Sequence, residues 1–252
     1  MPKVISIHSY RGGTGKSNFA ANLSTTVAAL GNRVGVVDTD VPSPGIHNLF
    51  CLEPEQIGTT LNNYLWGESS IEDAAYDVSA NVGIDGTGKL FLVPSSVKAD
   101  DIAKILKDGY DVRLMNDGFR NLVKGLQLDY LFIDTHPGLS KDTFLSIAIS
   151  HILILILRPD KQDYQGTAVT VDVARQLKVR RMLLAINKAH SKLNLDALKQ
   201  KVEETYNETV AGVFPLSEEV VQLASEGVFC VKYPEHPVSQ EFRKVAQQII
   251  EG

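Results

Sequence analysis

Residues 10–17, with the sequence YRGGTGKS, constrain the fold of this chain more than any other segment. They follow an apolar run at residues 4–7 and precede a helix-like segment at residues 18–30. A glycine-rich loop ending in Gly-Lys-Ser between a strand and a helix is typical of a phosphate site, because its backbone N–H groups and the helix dipole point at one concavity. Lys16 would reach the β- and γ-phosphates, and the Ser17 hydroxyl would bind Mg²⁺.

One position departs from the ordinary phosphate loop. That loop has its first glycine five residues before the place of Gly15, where this chain carries Tyr10. The glycines stand instead at Gly12 and Gly13, directly after Arg11. This arrangement resembles the deviant Walker A loop of the ParA/MinD ATPases, in which a signature lysine precedes the Gly-Gly pair. The resemblance implies ATP and Mg²⁺ as cofactors and an ATP-dependent face-to-face homodimer, in which each signature cation reaches the other subunit's phosphates.

Composition is that of an ordinary globular protein, with 44% hydrophobic and 22% charged residues among 252. The longest apolar candidate, residues 147–157, is strand-sized, so no transmembrane helix is expected. The first strand follows the start of the sequence too closely to leave room for a signal peptide, and Cys51 and Cys230 are expected to be reduced thiols. We therefore expect a cytoplasmic protein, associated with the nucleoid if DNA is its scaffold.

Strand-like and helix-like segments alternate almost throughout, which predicts a single α/β domain over residues 1–252. Its sheet is expected to be mostly parallel and twisted, with helices on both faces, as in P-loop NTPases. The least regular part is residues 53–89. Predicted strands cover residues 3–8, 33–37, 90–93, 130–133, 152–157, 182–186 and 210–214. Predicted helices cover residues 17–30, 99–107, 111–126, 141–150, 163–177, 195–206, 218–225 and 239–250.

Two carboxylates, Asp38 and Asp40, end the second predicted strand and share one side of an extended segment. Beside a metal-bound triphosphate, one can orient the Mg²⁺ water shell and the other the attacking water. Alone, the same pattern is typical of solvated acids before a Pro/Gly turn. After a phosphate loop it resembles the switch I segment of the ParA/MinD family, which implies that Asp40 positions or activates water and that Asp38 supports it.

Asp134 ends another apolar strand, where a carboxylate can reach Mg²⁺ through water. The surrounding run resembles the Walker B and switch II region of the family, except that His136 is inserted before Pro137. We expect His136 to be a polar loop residue, with proton transfer as the alternative. Metal ligation by His136 is disfavoured, because no second His or Cys is near in sequence.

The base of the nucleotide is expected to meet two further segments. Asn187 follows the strand at residues 182–186, and an amide offers both a donor and an acceptor to the edge of adenine. The family uses an Asn at this place for the base, so the resemblance implies that role for Asn187. Pro215 and Leu216 resemble the loop that closes over adenine, which implies that they pack on the ring. Ser217 as a helix N-cap is compatible with this reading.

The resemblance implies three sets of site residues. Nucleotide contacts are assigned to Gly12, Gly13, Thr14, Gly15, Lys16, Ser17, Asn18, Asn187, Pro215 and Leu216. Catalytic roles are assigned to Lys16, Asp38, Asp40 and Arg11. Metal contacts are assigned to Ser17, Asp38 and Asp134.

Arg11 is the residue at which the resemblance is incomplete. Arginine is longer than lysine and offers a planar fork, and it could act across the dimer like an arginine finger. We expect Arg11 to keep the cross-subunit role, with slow or partner-dependent hydrolysis. The alternative is that Arg11 faces solvent and that Arg158 or Lys161, after the strand at residues 152–157, supplies the cation.

Proteins of this family usually act on a membrane or on nucleoid DNA. The C-terminal helix carries no extra basic, aromatic tail, so direct membrane binding is not expected. Eight basic residues would form either a DNA-binding patch or solvated helix faces in this chain of net charge -5. They are Arg175, Lys178, Arg180, Arg181, Lys188, Lys192, Lys199 and Lys201.

These features predict a Mg²⁺-dependent, partner-stimulated ATPase switch that forms a nucleotide-sandwich homodimer and positions or partitions a cargo through an unidentified adaptor. The alternative is a regulatory ATPase of an assembly or export system that binds protein partners and no DNA. A metabolic enzyme on the same fold is disfavoured. Neither Cys51 nor Cys230 sits where a cluster-bridging ligand of an iron–sulfur reductase would, and no second substrate pocket of an amide ligase can be named.

Overall fold

The computed structural model describes residues 2–190 and 192–252. Strands and helices alternate along them, with two additional 3₁₀ turns at Pro54–Gln56 and Glu72–Ala74. The strands are β1 (Lys3–His8), β2 (Arg33–Asp38), β3 (Tyr76–Asp77), β4 (Lys89–Val93), β5 (Tyr130–Asp134), β6 (Ile152–Leu157), β7 (Met182–Ala189) and β8 (Thr209–Pro215). The helices are α1 (Lys16–Ala29), α2 (Ile46–Leu49), α3 (Leu61–Leu65), α4 (Ala99–Asp108), α5 (Val112–Gly125), α6 (Lys141–Ile149), α7 (Lys161–Gln176), α8 (Leu195–Tyr206), α9 (Glu218–Leu223), α10 (Phe229–Lys232) and α11 (Pro237–Glu251).

One sheet contains all of these strands, in the order β3-β4-β2-β5-β1-β6-β7-β8. The strands pair in parallel except for β3, which lies antiparallel to β4 at the sheet edge. Because β1 lies between β5 and β6, the loop after β1 emerges in the middle of the sheet. The carboxyl ends of β2 and β5 lie beside it, which is where ligands gather in sheets of this kind.

Apolar side chains fill both faces of the sheet. On one face, Phe19 of α1, Phe214 of β8 and Phe242 of α11 form an aromatic cluster with ring centroids 4.5 to 5.1 Å apart. On the other face, residues of α5 such as Leu122 pack with buried β5 residues such as Ile133. Every residue of β6 is buried, as expected for a central parallel strand.

The structure confirms the predicted parallel α/β sheet with helices on both faces. Residues 53–89, predicted to be the least regular part, contain only short elements, but they are packed against the core. This segment contains α3, β3 and both 3₁₀ turns, and it buries Leu61, Ile71 and Val78. Its apolar residues follow neither the helical nor the strand period for long, so periodicity could not reveal that it is packed. None of the helices in the described residues is long and apolar enough to span a bilayer.

Candidate nucleotide site

The phosphate loop runs from the end of β1 to the start of α1. Gly13 and Gly15 adopt left-handed backbone conformations, with φ of 74° and 93°. Gly15 is also the N-cap of α1 and provides no side-chain cap, so the first N–H groups of this 14-residue helix have no side-chain acceptor at the cap. Within the loop, the Thr14 hydroxyl donates to Ser9 Oγ (3.0 Å), which donates to the carbonyl of Arg11 (2.7 Å). The loop is therefore internally braced around a helix start that suits an anion.

Two side chains from the end of β7 clamp this loop. Asn187 Nδ2 donates to the Thr14 carbonyl (2.8 Å), and Lys188 Nζ donates to the Gly13 carbonyl (2.9 Å). A Cβ on Gly15 would lie 2.6 Å from Asn187 Nδ2, so the clamp requires glycine at that position. The sequence predicted a base contact for Asn187 and solvent or DNA for Lys188. The sequence feature that could have indicated these two contacts is the position of Asn187 and Lys188 at the end of a strand.

Asp38 and Asp134 are paired in register on neighbouring strands. Both are almost fully buried. Asp38 Oδ1 and Oδ2 accept the backbone N–H groups of Asp40 (3.0 Å) and Gly45 (3.3 Å), so Asp38 organises the loop after β2. Among the described residues, neither carboxylate oxygen of Asp134 has a hydrogen-bond partner. An unpartnered buried carboxylate is costly unless a cation or water satisfies it.

The two buried carboxylates make this corner electrostatically suited to a cation. Burial raises the pKa of Asp134 to about 6, and the nearby Ser17 hydroxyl and Lys16 ammonium oppose that shift. Burial, followed by the negative charge of Asp134, raises the pKa of Asp38 well above its usual range. Mg²⁺ prefers hard oxygen ligands. It usually keeps several water ligands and is bound by one or two protein oxygens together with substrate phosphates. Ser17 and Asp134 fit such an ion, with Asp38 behind them.

The Asp134→Asn variant is expected to stabilise the ligand-free protein by about 2 kcal/mol at pH 7.5. The folded pKa of Asp134 lies above its unfolded value of about 3.8, so the folded state holds the extra proton only between the two pKa values, and at pH 7.5 it carries a buried charge. Stability from this group is present below the unfolded pKa and is lost as the pH rises through about 6. Urea unfolding measured at pH 5 and at pH 7.5 should show that the free energy of unfolding falls less between these pH values for the variant than for the parent.

Asp108→Asn, at an exposed position that ends α4, provides the control and should leave the pH dependence unchanged. An Asp134→Asn protein that is less stable than the parent at pH 7.5 would contradict the assignment of Asp134 as a buried carboxylate whose charge its neighbours compensate only in part.

Asp40 meets a residue from a different loop. Its Oδ1 lies 2.8 Å from Nδ1 of His136, which follows β5. Beneath them, His8 at the end of β1 lies 2.7 Å from the Thr135 hydroxyl through Nδ1, and its buried Nε2 has no partner among the described residues. Burial lowers the pKa of His8 to about 3, so the site floor is a neutral imidazole. Sequence reasoning missed His8, although a histidine directly before a phosphate loop was a visible signal.

Arg11 points toward α7. Its Nη1 lies 3.6 Å from Asp163 Oδ1 and 3.8 Å from Asp160 Oδ1. Arg158 contacts the same acids, with 3.0 Å from Nη2 to Asp160 Oδ2 and 3.2 Å from Nε to Asp163 Oδ2. Tyr10 packs against Gly166, where a Cβ would lie 2.1 Å from the ring. The structure thus brings Arg11 and Arg158 to one acidic pair, which sequence reasoning did not foresee.

An apolar pocket of about 210 Å³ adjoins the phosphate loop. Its lining includes Phe19, Phe214 and Pro215 with the polar groups of Asn18 and Asn187, so it suits a flat, largely apolar ring with a polar edge. Leu216 also lines it and is half exposed. Ser217 accepts the Val220 N–H as the N-cap of α9, as predicted. The predicted base residues therefore lie around one pocket.

The eight basic residues named above do not form one surface. Lys178, Arg180 and Arg181 precede β7, whereas Lys188 lies near its other end, roughly 20 Å away at the rise of a strand. Arg175 is bound to Glu208 (2.9 Å), and Lys188 is bound to the phosphate loop. A patch of all eight residues is therefore not formed, because β7 separates residues that are close in sequence, and DNA binding by the remaining ones stays a prediction.

Comparisons with known proteins agree with this geometry. A family model described as ParA: NUBPL iron-transfer P-loop NTPase matches residues 1–250. An uncharacterised ATP-binding protein of Methanocaldococcus jannaschii is 25% identical over 99% of this chain and 88% of its own length. An iron–sulfur cluster carrier protein of Saccharolobus solfataricus is 26% identical over 98% and 82%.

Among solved structures, the septum site-determining protein MinD of Pyrococcus horikoshii, complexed with Mg-ADP, is similar in fold. Its TM-score is 0.82 at 24% identity, and the match covers 99% of this chain and 96% of that one. The family model covers nearly the whole chain, from the phosphate loop to α11. The chain therefore belongs to the ParA family of P-loop NTPases.

Proposed function

We propose that this chain is an ATP-dependent molecular switch that binds ATP with Mg²⁺, hydrolyses it slowly and pairs with a second copy of itself in the ATP state. The observation that carries the proposal is the unpartnered buried carboxylate of Asp134 beside Lys16, Ser17 and an uncapped helix start. A cation would pair with the Asp134 carboxylate, and a polyphosphate would bind Lys16 and the N–H groups of the helix start.

Each residue has a role in this proposal. The N–H groups of Gly12–Ser17 and the Lys16 ammonium bind the phosphates, and Ser17 and Asp134 hold Mg²⁺ directly or through water. Asp40 orients the attacking water, and Asp38 fixes the loop that carries Asp40. Adenine enters the pocket formed by Phe19, Phe214 and Pro215. The other nucleotide contacts are Asn18, Asn187 and Leu216.

The homodimer rests on Arg11. Its side chain leaves its own phosphate loop for α7, where Asp160 and Asp163 bind it. A cation directed away from its own nucleotide can serve a neighbouring one. The switch would then act on a cargo through an adaptor protein, with hydrolysis stimulated by a partner.

The test is light scattering of Asp40→Ala, in which slowed hydrolysis should hold the ATP state. We expect twice the monomer mass of 27.6 kDa with ATP and Mg²⁺, and the monomer mass with ADP. A monomer in both states would remove the sandwich dimer from the proposal. Adding DNA or liposomes to the same samples distinguishes a DNA scaffold from a membrane. If the dimer binds neither DNA nor liposomes, the result favours the alternative of a regulatory ATPase that binds protein partners.

The names of several relatives make iron–sulfur cluster transfer a second candidate function. In this chain, Cys51 is exposed and Cys230 is partly buried. Among the described residues, no group of three or more His, Cys, Asp or Glu is arranged to hold a metal ion. A cluster would therefore have to draw cysteines from two chains. Anaerobic reconstitution with iron and sulfide, followed by iron analysis of the parent and of Cys51→Ser, tests this candidate.

A further inference from the structure

The contact between Asp40 and His136 joins two loops that leave neighbouring strands. Asp40 lies in the loop after β2, and His136 lies in the loop after β5. Nδ1 of His136 is 2.8 Å from Oδ1 of Asp40, and the Asp40 side chain is only 14% exposed. An ionised carboxylate can only accept, so the imidazole donates this hydrogen bond.

No other group in residues 2–190 and 192–252 hydrogen-bonds the Asp40 carboxylate. Its backbone N–H is fixed by Asp38, but that bond leaves the side chain free to rotate. A carboxylate that orients water must be held within a fraction of an ångström of its productive position. Among the described residues, the His136 imidazole is the group that can do this.

His136 is itself held in place by its neighbours in the chain. Before it, the Thr135 hydroxyl donates to the Ile7 carbonyl (2.9 Å). After it, Pro137 restricts the backbone of His136 and lies close to Gly12. The next residue, Gly138, donates its N–H to the Ser9 carbonyl (3.1 Å). The loop that carries His136 is thus attached to β1 and to the phosphate loop.

We propose that His136 is a positioning residue that acts through Asp40, holding its carboxylate where it orients the attacking water. This inference rests on the proposed function, because it takes Asp40 as the residue that orients water. It assigns the histidine before Pro137 to hydrolysis rather than to nucleotide binding. In the described part of the chain, the His136 imidazole contacts the Asp40 side chain and makes no hydrogen bond to the phosphate loop.

The experiment compares five variants with the parent in single-turnover ATP hydrolysis and in equilibrium ATP binding. His136→Ala should lower the hydrolysis rate about 10-fold, since misplaced catalytic groups cost between one and two orders of magnitude. It should leave the ATP dissociation constant within about twofold, because binding depends on the phosphate loop. His136→Asn should recover most of the rate, because its Nδ2 stands near the position of Nδ1. His136→Gln should not recover it, because its amide lies one methylene farther out.

The other two variants are Asp40→Ala and the double mutant Asp40→Ala/His136→Ala. If His136 acts through Asp40, the double mutant should hydrolyse ATP as slowly as Asp40→Ala alone. Additive losses, or an Asn variant as slow as the Ala variant, would overturn the positioning role. So would a His136→Ala protein with the parental rate. A parent that binds ATP but never hydrolyses it would instead overturn the proposed function and this inference with it.

Discussion

Lys16→Ala is expected to lower ATP hydrolysis at least about 100-fold, the loss typical of removing one preorganised electrostatic donor. Lys16 begins α1 and is almost fully buried beside Asp134, so no solvent cation can replace it. ATP affinity should fall about 10-fold or more, whereas adenosine affinity should change little, because the proposed partners of Lys16 are the β- and γ-phosphates. Calorimetric titrations with ATP and adenosine, beside a single-turnover assay, measure these effects.

Lys201→Ala removes an exposed lysine of α8 and is the matched control. It should bind and hydrolyse ATP like the parent. A Lys16→Ala protein with parental ATP affinity would mean that triphosphate does not bind at this loop.

Arg11→Ala is expected to abolish the ATP-dependent dimer and to lower hydrolysis by about three orders of magnitude, as for a missing arginine finger. Its two acidic contacts in the monomer are long, 3.6 and 3.8 Å, so a second subunit's phosphates can compete for the guanidinium. Arg11→Lys should restore much of the dimer, because lysine is the residue of the family pattern. Light scattering with ATP and Mg²⁺ is the measurement, in an Asp40→Ala background.

Arg158→Ala identifies which cation acts. Arg158 shares Asp160 and Asp163 with Arg11, but its contacts are shorter. If Arg158 supplied the cross-subunit charge, its loss would remove the dimer and the loss of Arg11 would not. The reverse result assigns the role to Arg11.

The sequence predicted best those features that depend only on residues close together in the chain. The ends of β1, β6 and α8 follow directly from apolar runs and helical periodicity. The phosphate loop is local as well, since its glycines and Lys16 are neighbours in the chain. These elements need no knowledge of how strands are ordered in the sheet.

Contacts between distant segments were harder to predict. The Asp40–His136 pair joins residues 96 positions apart, and the Lys188–Gly13 bond joins residues 175 apart. Each depends on the strand order, which puts β5 between β2 and β1 and ends β7 near the phosphate loop. Arg11 was predicted as a candidate, but its acidic partners on α7 become visible only once β1 and β6 are neighbours.

The register of Asp38 and Asp134 has a mechanical consequence. The two residues face each other on adjacent parallel strands, whose spacing is held by backbone hydrogen bonds at about 4.8 Å. The distance between their backbones is therefore set by the sheet. We therefore expect any movement that follows ATP hydrolysis to occur in the loops beyond the strand ends, where Asp40 and His136 lie.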